Sequence, residues 1–345
     1  MRCVDIAGRR IGPGQPPYLV AELSGNHKGE LARALALVDA AAAAGADAVK
    51  LQTYTADTIT IDHDGPGFLI EDGPWAGRRL HELYGEAHTP WDWHPALFAR
   101  AAGHGLACFS SPFDETAVAY LEGLGSPAFK IASFEAVDLP LIRRAAASGR
   151  PLVISTGLAA GAEIAEALAA AAPAPVILLH CVSAYPAPAS EMRLASIPAL
   201  AARFGVPVGL SDHSLGIAAA VAAVALGACF VEKHLTLARA DGGPDAGFSL
   251  EPAEFAAMAA ACREAHAAIG EPGEARPPSE GANRQFRRSL YAVADIAAGE
   301  LLTPANVRSI RPGFGLPPRH LPEILGRRAA VAIARGTPLD WALLA

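Results

Sequence analysis

Aromatic residues make up 6% of this 345-residue chain and charged residues 18%, and sulfur is sparse, with five cysteines and three methionines. Each shortage excludes something. Cys3, Cys108, Cys181, Cys229 and Cys262 are odd in number, scattered, and without CxxC spacing. They read as reduced thiols of a cytoplasmic protein, not as a disulfide framework. Apolar stretches are broken by charge or Gly within about 18 residues, too soon for a membrane span. The opening MRCVDIAGRR has no apolar signal core. A formal net charge of −7 without any basic block argues against nucleic acid as the main partner. An anionic small molecule remains compatible, because a local lysine cluster can oppose the global sign.

What the chain does have is a repeated pattern of short apolar runs ending in polar, chemically capable side chains. These are YLVAELSGNH (18–27), AVKLQTYT (48–55), ACFSSPFD (107–114), FKIASFE (129–135), LVISTG (152–157), VILLHCVSAY (176–185), VGLSDHS (208–214) and FVEKHLT (230–236). Segments of helical periodicity lie between and after them, from Leu31–Ala44 to Pro252–Ile269. Strand alternating with helix predicts a parallel sheet with helical crossovers. Eight units over about 250 residues predict a closed (β/α)8 TIM barrel. An open doubly wound sheet would need a Gly-rich turn after the first strand, and SGNHKG is a poor one. The barrel is expected over 1–270, opened by a hairpin at CVDIAGRRIGPG that plugs its bottom. The long 56–90 segment is expected to act as a lid. A Pro/Gly/Glu-rich linker (271–283) leads to a small β-rich domain (284–345), too short to have much core of its own.

Residues two apart on a strand share a face, so Lys50 aligns with Gln52, Ser211 with His213, and Glu232 with His234. In a barrel, sites form at the carboxyl ends of the strands. That brings His213 and His234 together on the last two strands, with Glu22 beside them if the barrel closes. Two imidazoles with an acid nearby can hold a divalent metal, though a strand-end histidine is commonly structural. Lys50 and Lys130 lie within apolar strands, where an unpaired ammonium is costly. With Ser110, Ser111, Ser133, Ser155, Thr156 and Ser211 nearby, they suit a phosphate or carboxylate. Structural bridges from Lys50 to Asp47 and from Lys130 to Glu135 are the bland alternative, and a Schiff-base Lys130 is another. Trp75, Trp91 and Trp93 could line a sugar or simply staple the lid. His180 and Cys181, being adjacent, face opposite ways and cannot form a dyad.

AELSGNHKGELARALALVDAAAAAGADAVKLQTYT, FSSPFDETAVAYLE, FKIASFEAVDLPLI, VISTGLA, LLHCVSAYPAP, GLSDHSLGI and VEKHLTL together resemble the sialic acid synthase family, and most of all its pseudaminic acid synthase branch. RRSLYAVADIAAGELLTPANVRSIRPGFGLPP resembles the antifreeze-like (SAF) domain that ends those enzymes. The resemblance implies a transferase that condenses phosphoenolpyruvate with an open-chain amino-sugar to give a nine-carbon 2-keto acid and phosphate. By motif, His213 and His234 match divalent metal ligands (Mn2+ or Mg2+), and Glu22 is implied to help deprotonate the attacking water. Lys50, Ser111, Lys130, Ser133, Ser155, Ser183 and Ser211 match phosphoenolpyruvate contacts. Gln52, Tyr185 and Asp245 match positions that approach the sugar. Arg311 is the expected tail arginine reaching a partner's site in a domain-swapped homodimer. Two departures stand out: Lys28 where the family often has Asn, and Ser183 where the sialic acid branch has Asn. The second fits the pseudaminic branch. N-acetylneuraminate or legionaminic acid synthesis, an aldolase using Lys130, and a non-catalytic sugar-phosphate binder are the alternatives.

Overall fold

The structure, a computed structural model, describes residues 2–270, 273 and 276–345. The chain divides into two compact units, 1–270 and 271–345. Among the described residues no helix is long and apolar enough to cross a membrane.

The first unit opens with the antiparallel hairpin β1 (Val4–Ile6) and β2 (Arg9–Ile11). Eight strands follow: β3 (Tyr18–Glu22), β4 (Ala48–Thr53), β5 (Ala107–Pro112), β6 (Phe129–Ile131), β7 (Leu152–Ser155), β8 (Val176–Cys181), β9 (Val208–Asp212) and β10 (Phe230–His234). Each pairs in parallel with the next, and β10 pairs with β3, closing the barrel. The TIM barrel expectation holds.

Helices cover the outside: α1 (Leu31–Ala43), α4 (His94–Gly103), α5 (Glu115–Gly123), α6 (Leu139–Ala146), α7 (Gly161–Ala171), α8 (Ser196–Phe204), α9 (Ala218–Ala225) and α10 (Pro252–Ile269), while α2 (Ala56–Ile59) and α3 (Leu80–Ala87) belong to the long segment after β4. Asp114 and Asp138 cap α5 and α6 by accepting the amides of Ala117 and Leu141, which satisfies donors no helix can satisfy internally. Alanine on the inward helix faces lets the helices sit close over the strands, and Ala34, Ala41, Ala167, Ala171, Ala220 and Ala223 are all buried.

Inside the barrel, one end is apolar. Val4, Ile6 and Ile11 of the hairpin pack with Tyr18, Val20, Phe109, Val153, Leu179 and Phe230 from the strands. The hairpin therefore packs into the apolar end of the barrel. Each large side chain buried there contributes about 1.5–3 kcal/mol. Gly209 is required in this packing: a Cβ would lie 2.4 Å from the Phe230 carbonyl oxygen and 2.8 Å from a Leu179 methyl.

In the second unit, β11 (Ser289–Ala292) pairs antiparallel with β12 (Val307–Ile310). It has a core of its own, built on Leu290, Ile296, Leu302, Val307, Ile324 and Leu339. Of the expected linker, residues 271, 272, 274 and 275 lie outside the described residues. Pro278–Phe286 forms 3-10 turns that run past its predicted end.

Candidate active site

The register at the carboxyl ends of the strands assembles the chemistry. Glu22 lies beside His234 on one side and beside Lys50 on the other; Gln52 faces Ser111, and Ser211 faces Glu232. These positions stand two or four residues beyond the apolar interior layer, so the strand period that builds the core also aims polar side chains inward above it.

Lys50 Nζ donates to Glu232 Oε1 at 2.8 Å. It also lies 2.8 Å from Glu22 Oε2, an ion-pair contact off the hydrogen-bonding direction. Lys130 Nζ stands 3.7 Å from the same Glu232 oxygen, and the Ser211 hydroxyl donates to that oxygen at 3.3 Å. Burial lowers the Lys50 pKa to about 8 against the opposing pull of Glu232. Burial alone would raise Glu232, but Lys130 and Lys50 hold it below its usual value. The bland pairings do not form: Asp47 binds Arg9 and the Leu19 amide instead, and Lys130 pairs with Glu232, not with Glu135. Glu232 is thus the charge at the centre of the site. The sequence shows only that it shares a face with His234, because its two lysine partners are 182 and 102 residues away.

The two imidazoles are 5.7 Å apart between ring centroids. His213 Nδ1 lies 2.9 Å from the Val182 carbonyl, which can only accept, so Nδ1 carries the proton and Nε2 keeps its lone pair. His234 Nδ1 lies 3.2 Å from the Ser24 hydroxyl. Burial lowers His213 to about 4. It also lowers His234 well below the ordinary histidine value, with the charges of His213, Lys50, Lys233 and Lys130 acting the same way. Both rings are therefore neutral at pH 7, as a metal ligand must be. Among the described residues no set of three or more His, Cys, Asp or Glu side chains is arranged to hold a metal. The donor set fits a two-histidine site whose other positions fall to water and substrate; of the nearby acids, Glu22 and Glu232 are engaged by lysine.

These groups open into a cavity of about 560 Å³, within the range of small-molecule sites. Its lining includes Lys50, Gln52, Ser111, Lys130, Ser133, Ser155, Ser183, Tyr185, Ser211, His213, His234 and Asp245, so most of the sequence-selected residues meet there. The buried hydroxyls of Ser111 and Ser155 have no hydrogen-bond partner among the described residues. Ser133 and Ser183 bond each other at 2.9 Å. Gly157 leaves them room, since a Cβ would come within 2.3 Å of the Ser183 hydroxyl.

Four sequence-selected residues stand elsewhere. Ser110 bonds the Thr53 hydroxyl at 2.6 Å and Thr156 donates to the Leu179 carbonyl at 3.2 Å, both away from the cavity lining. Glu22 is fully buried behind the cavity wall, where its Oε1 accepts from Gln52 at 3.1 Å and from the Ser24 amide at 3.0 Å. Arg311 is exposed in the second unit, beside Arg287 and Arg288 at the end of β12.

The 56–90 segment supplies Ile59, Ile70, Asp72, Trp75, Leu80 and Tyr84 to the cavity wall. Trp75 leans on Tyr185 and donates to the Pro244 carbonyl at 2.8 Å, so it both lines the cavity and fastens the segment. Trp91 stacks on Tyr120 and Trp93 packs against His27. Glu135, passed over in the sequence as a site residue, also lines the cavity. Its Oε2 is unpartnered among the described residues, and burial raises its pKa. His180 bonds the Met192 carbonyl while Cys181 Sγ accepts the Gly157 amide, so the two do face apart. Burial pushes the Cys181 thiol up, away from nucleophilic use.

A NeuB family model matches residues 37–274 and a SAF domain model matches residues 287–345. The chain is 44% identical over 325 residues to the pseudaminic acid synthase of Campylobacter jejuni subsp. jejuni serotype O:23/36 (strain 81-176), covering 93% of this chain and 95% of that one. It is 40% identical over 330 residues to the pseudaminic acid synthase of Helicobacter pylori (strain ATCC 700392 / 26695), covering 94% and 97%. Among solved structures, N-acetylneuraminic acid (sialic acid) synthetase from Leptospira borgpetersenii serovar Hardjo-bovis in complex with citrate superposes with a TM-score of 0.74 at 30% identity, covering 83% of this chain and 96% of that one. The chain belongs to the NeuB family.

Proposed function

We propose that this protein is a pseudaminic acid synthase, condensing phosphoenolpyruvate with 2,4-diacetamido-2,4,6-trideoxy-L-altrose and water to give pseudaminic acid and phosphate. The observation that carries this reading is the cavity's unmatched donors: Ser111 and Ser155 lack partners, and Lys130 is only loosely paired. A small anion with several oxygens satisfies all three. Identity of 40–44% to pseudaminic acid synthases, against 30% to the N-acetylneuraminic acid enzyme, favours this branch.

In the proposed reaction Lys50 and Lys130 hold the carboxylate and phosphate of phosphoenolpyruvate, with Ser111, Ser133, Ser155, Ser183 and Ser211 as hydroxyl partners. Donors fixed in a dry cavity stabilise the developing charge without reorganising. Nε2 of His213 and His234 would hold a divalent cation, Mn2+ or Mg2+, which when bound polarises the sugar aldehyde as a Lewis acid. Carbon 3 of phosphoenolpyruvate adds to that aldehyde carbon. Water then adds at carbon 2, and phosphate leaves by C–O cleavage. Glu22 acts from behind the wall, fixing Lys50 and Gln52. Glu135, its pKa raised by burial, faces the sugar with Gln52, Tyr185 and Asp245.

A cytoplasmic homodimer completes the proposal. Phe134, Val137, Leu158 and Leu215 are exposed apolar side chains on loops that follow barrel strands at the cavity end. A partner's tail would cover them and bring Arg311 to the sugar. The test is phosphate release from phosphoenolpyruvate with the L-altrose derivative, the corresponding mannose-configured diacetamido sugar and N-acetylmannosamine. Turnover with the first alone is expected. Preference for either other sugar would move the protein to the legionaminic or sialic branch. A borohydride-trapped adduct on Lys130 would replace the mechanism altogether.

A further inference from the structure

The geometry points to Ser24 as the positioning residue of the histidine pair, the group that sets which nitrogen of His234 faces the cavity; this rests on the metal-assisted reading above. Ser24 is 1% exposed, and its backbone has φ +40°, a conformation that favours glycine. Glycine here would relieve the backbone, yet the position holds a side chain, and that side chain lies 3.2 Å from His234 Nδ1. The same residue's amide donates to Glu22 Oε1 at 3.0 Å, and the next amide, of Gly25, donates to Asp245 Oδ2 at 3.4 Å. One strained turn therefore ties together Glu22, His234 and Asp245.

The direction of the hydrogen bonds decides its role. A neutral imidazole has one N–H, so a free lone pair on Nε2 requires the proton on Nδ1 and a hydroxyl that accepts it. Ser24 Oγ, 3.2 Å from His234 Nδ1, is placed to accept that proton and leave the Nε2 lone pair to the cavity. His213 reaches the same tautomer through the Val182 carbonyl. Outer partners of this kind fix ring orientation and ligand basicity. The Gly25 amide holds Asp245 on the same turn.

The test uses the full chain after chelator treatment, titrated with Mn2+ alone and followed by the paramagnetic resonance signal of free Mn2+, with Tm recorded alongside. Ser24→Gly is expected to bind Mn2+ about 10–100-fold more weakly, with Tm equal to or above that of the parent because strain is relieved. Ser24→Ala is expected to lose the same affinity without the gain in Tm. Wild-type affinity in Ser24→Gly would overturn the inference, as would a loss of affinity accompanied by a fall in Tm. A parent protein that binds no Mn2+ would remove the metal-assisted reading, and this inference with it.

Discussion

The two ends of the barrel are made from the same eight strands and differ in almost everything else. At the bottom, Val20, Ala48, Phe109, Ala128, Val153 and Phe230 meet the hairpin in an apolar layer. Two residues further along the same strands stand Glu22, Lys50, Ser111, Lys130, Ser155 and Glu232, buried just as deeply. One layer stabilises by leaving water; the other is costly to desolvate and is tolerable only through its mutual pairing. Stability and chemistry thus occupy successive steps of a single period, and substitutions in the two layers should fail in different ways.

The sharpest contrast is at Lys130. Lys130→Met removes the loosely paired ammonium and is expected to cut kcat/KM about 1000-fold in the phosphate-release assay, with the barrel still folded. A near-normal rate would break the division of labour. Lys50→Met leaves Glu232 short of its closest partner and should cost about 3–5 kcal/mol in denaturant unfolding. Pairing it with Glu232→Leu should restore most of that stability and none of the activity. In the lower layer the pattern should invert: Phe230→Ala is expected to cost about 3–5 kcal/mol through the cavity it leaves, while the folded fraction keeps its kcat.

Acid should act on the barrel through buried histidines that lie outside the apolar layer. Burial lowers His27, His94 and His213 from 6.5 to about 4. The unfolded chain therefore takes up these protons first as pH falls. Stability should be full above about pH 6.5 and decline toward pH 4, by roughly 3 kcal/mol per histidine. His94→Gln should reduce the slope of Tm against pH in that window; an unchanged slope would show that His94 is not held neutral. The smallest effect is expected at the mouth, where Trp75→Ala should raise KM for the sugar about 10-fold, lower Tm slightly through the lost Pro244 bond, and leave the KM for phosphoenolpyruvate alone.

The barrel was legible because its signal is local: apolar runs of strand length, helical segments between them, and polar residues at the strand ends. The same two-residue alternation placed Lys50 with Gln52 and His213 with Ser211. What remained illegible depends on closure. Glu232 looked like one more strand residue until β10 met β3 and both lysines turned toward it. Glu22 seemed to point into the cavity, but Gln52 and Lys50 stand between. Ser24 gives no sign in sequence of its left-handed backbone, which is a product of the turn that surrounds it.

The hairpin plug has a consequence for traffic. A vessel sealed at its base fills and empties through one opening, so its contents follow the order of a stack. For the proposed reaction, the anion must settle among the lysines and serines before the sugar arrives beneath Trp75 and Tyr185. The nine-carbon acid must then depart before phosphate can. Product-inhibition patterns should therefore be those of an ordered mechanism, with phosphate competing against phosphoenolpyruvate. The few residues of β1 and β2, remote from every reacting atom, would have written that sequence of events.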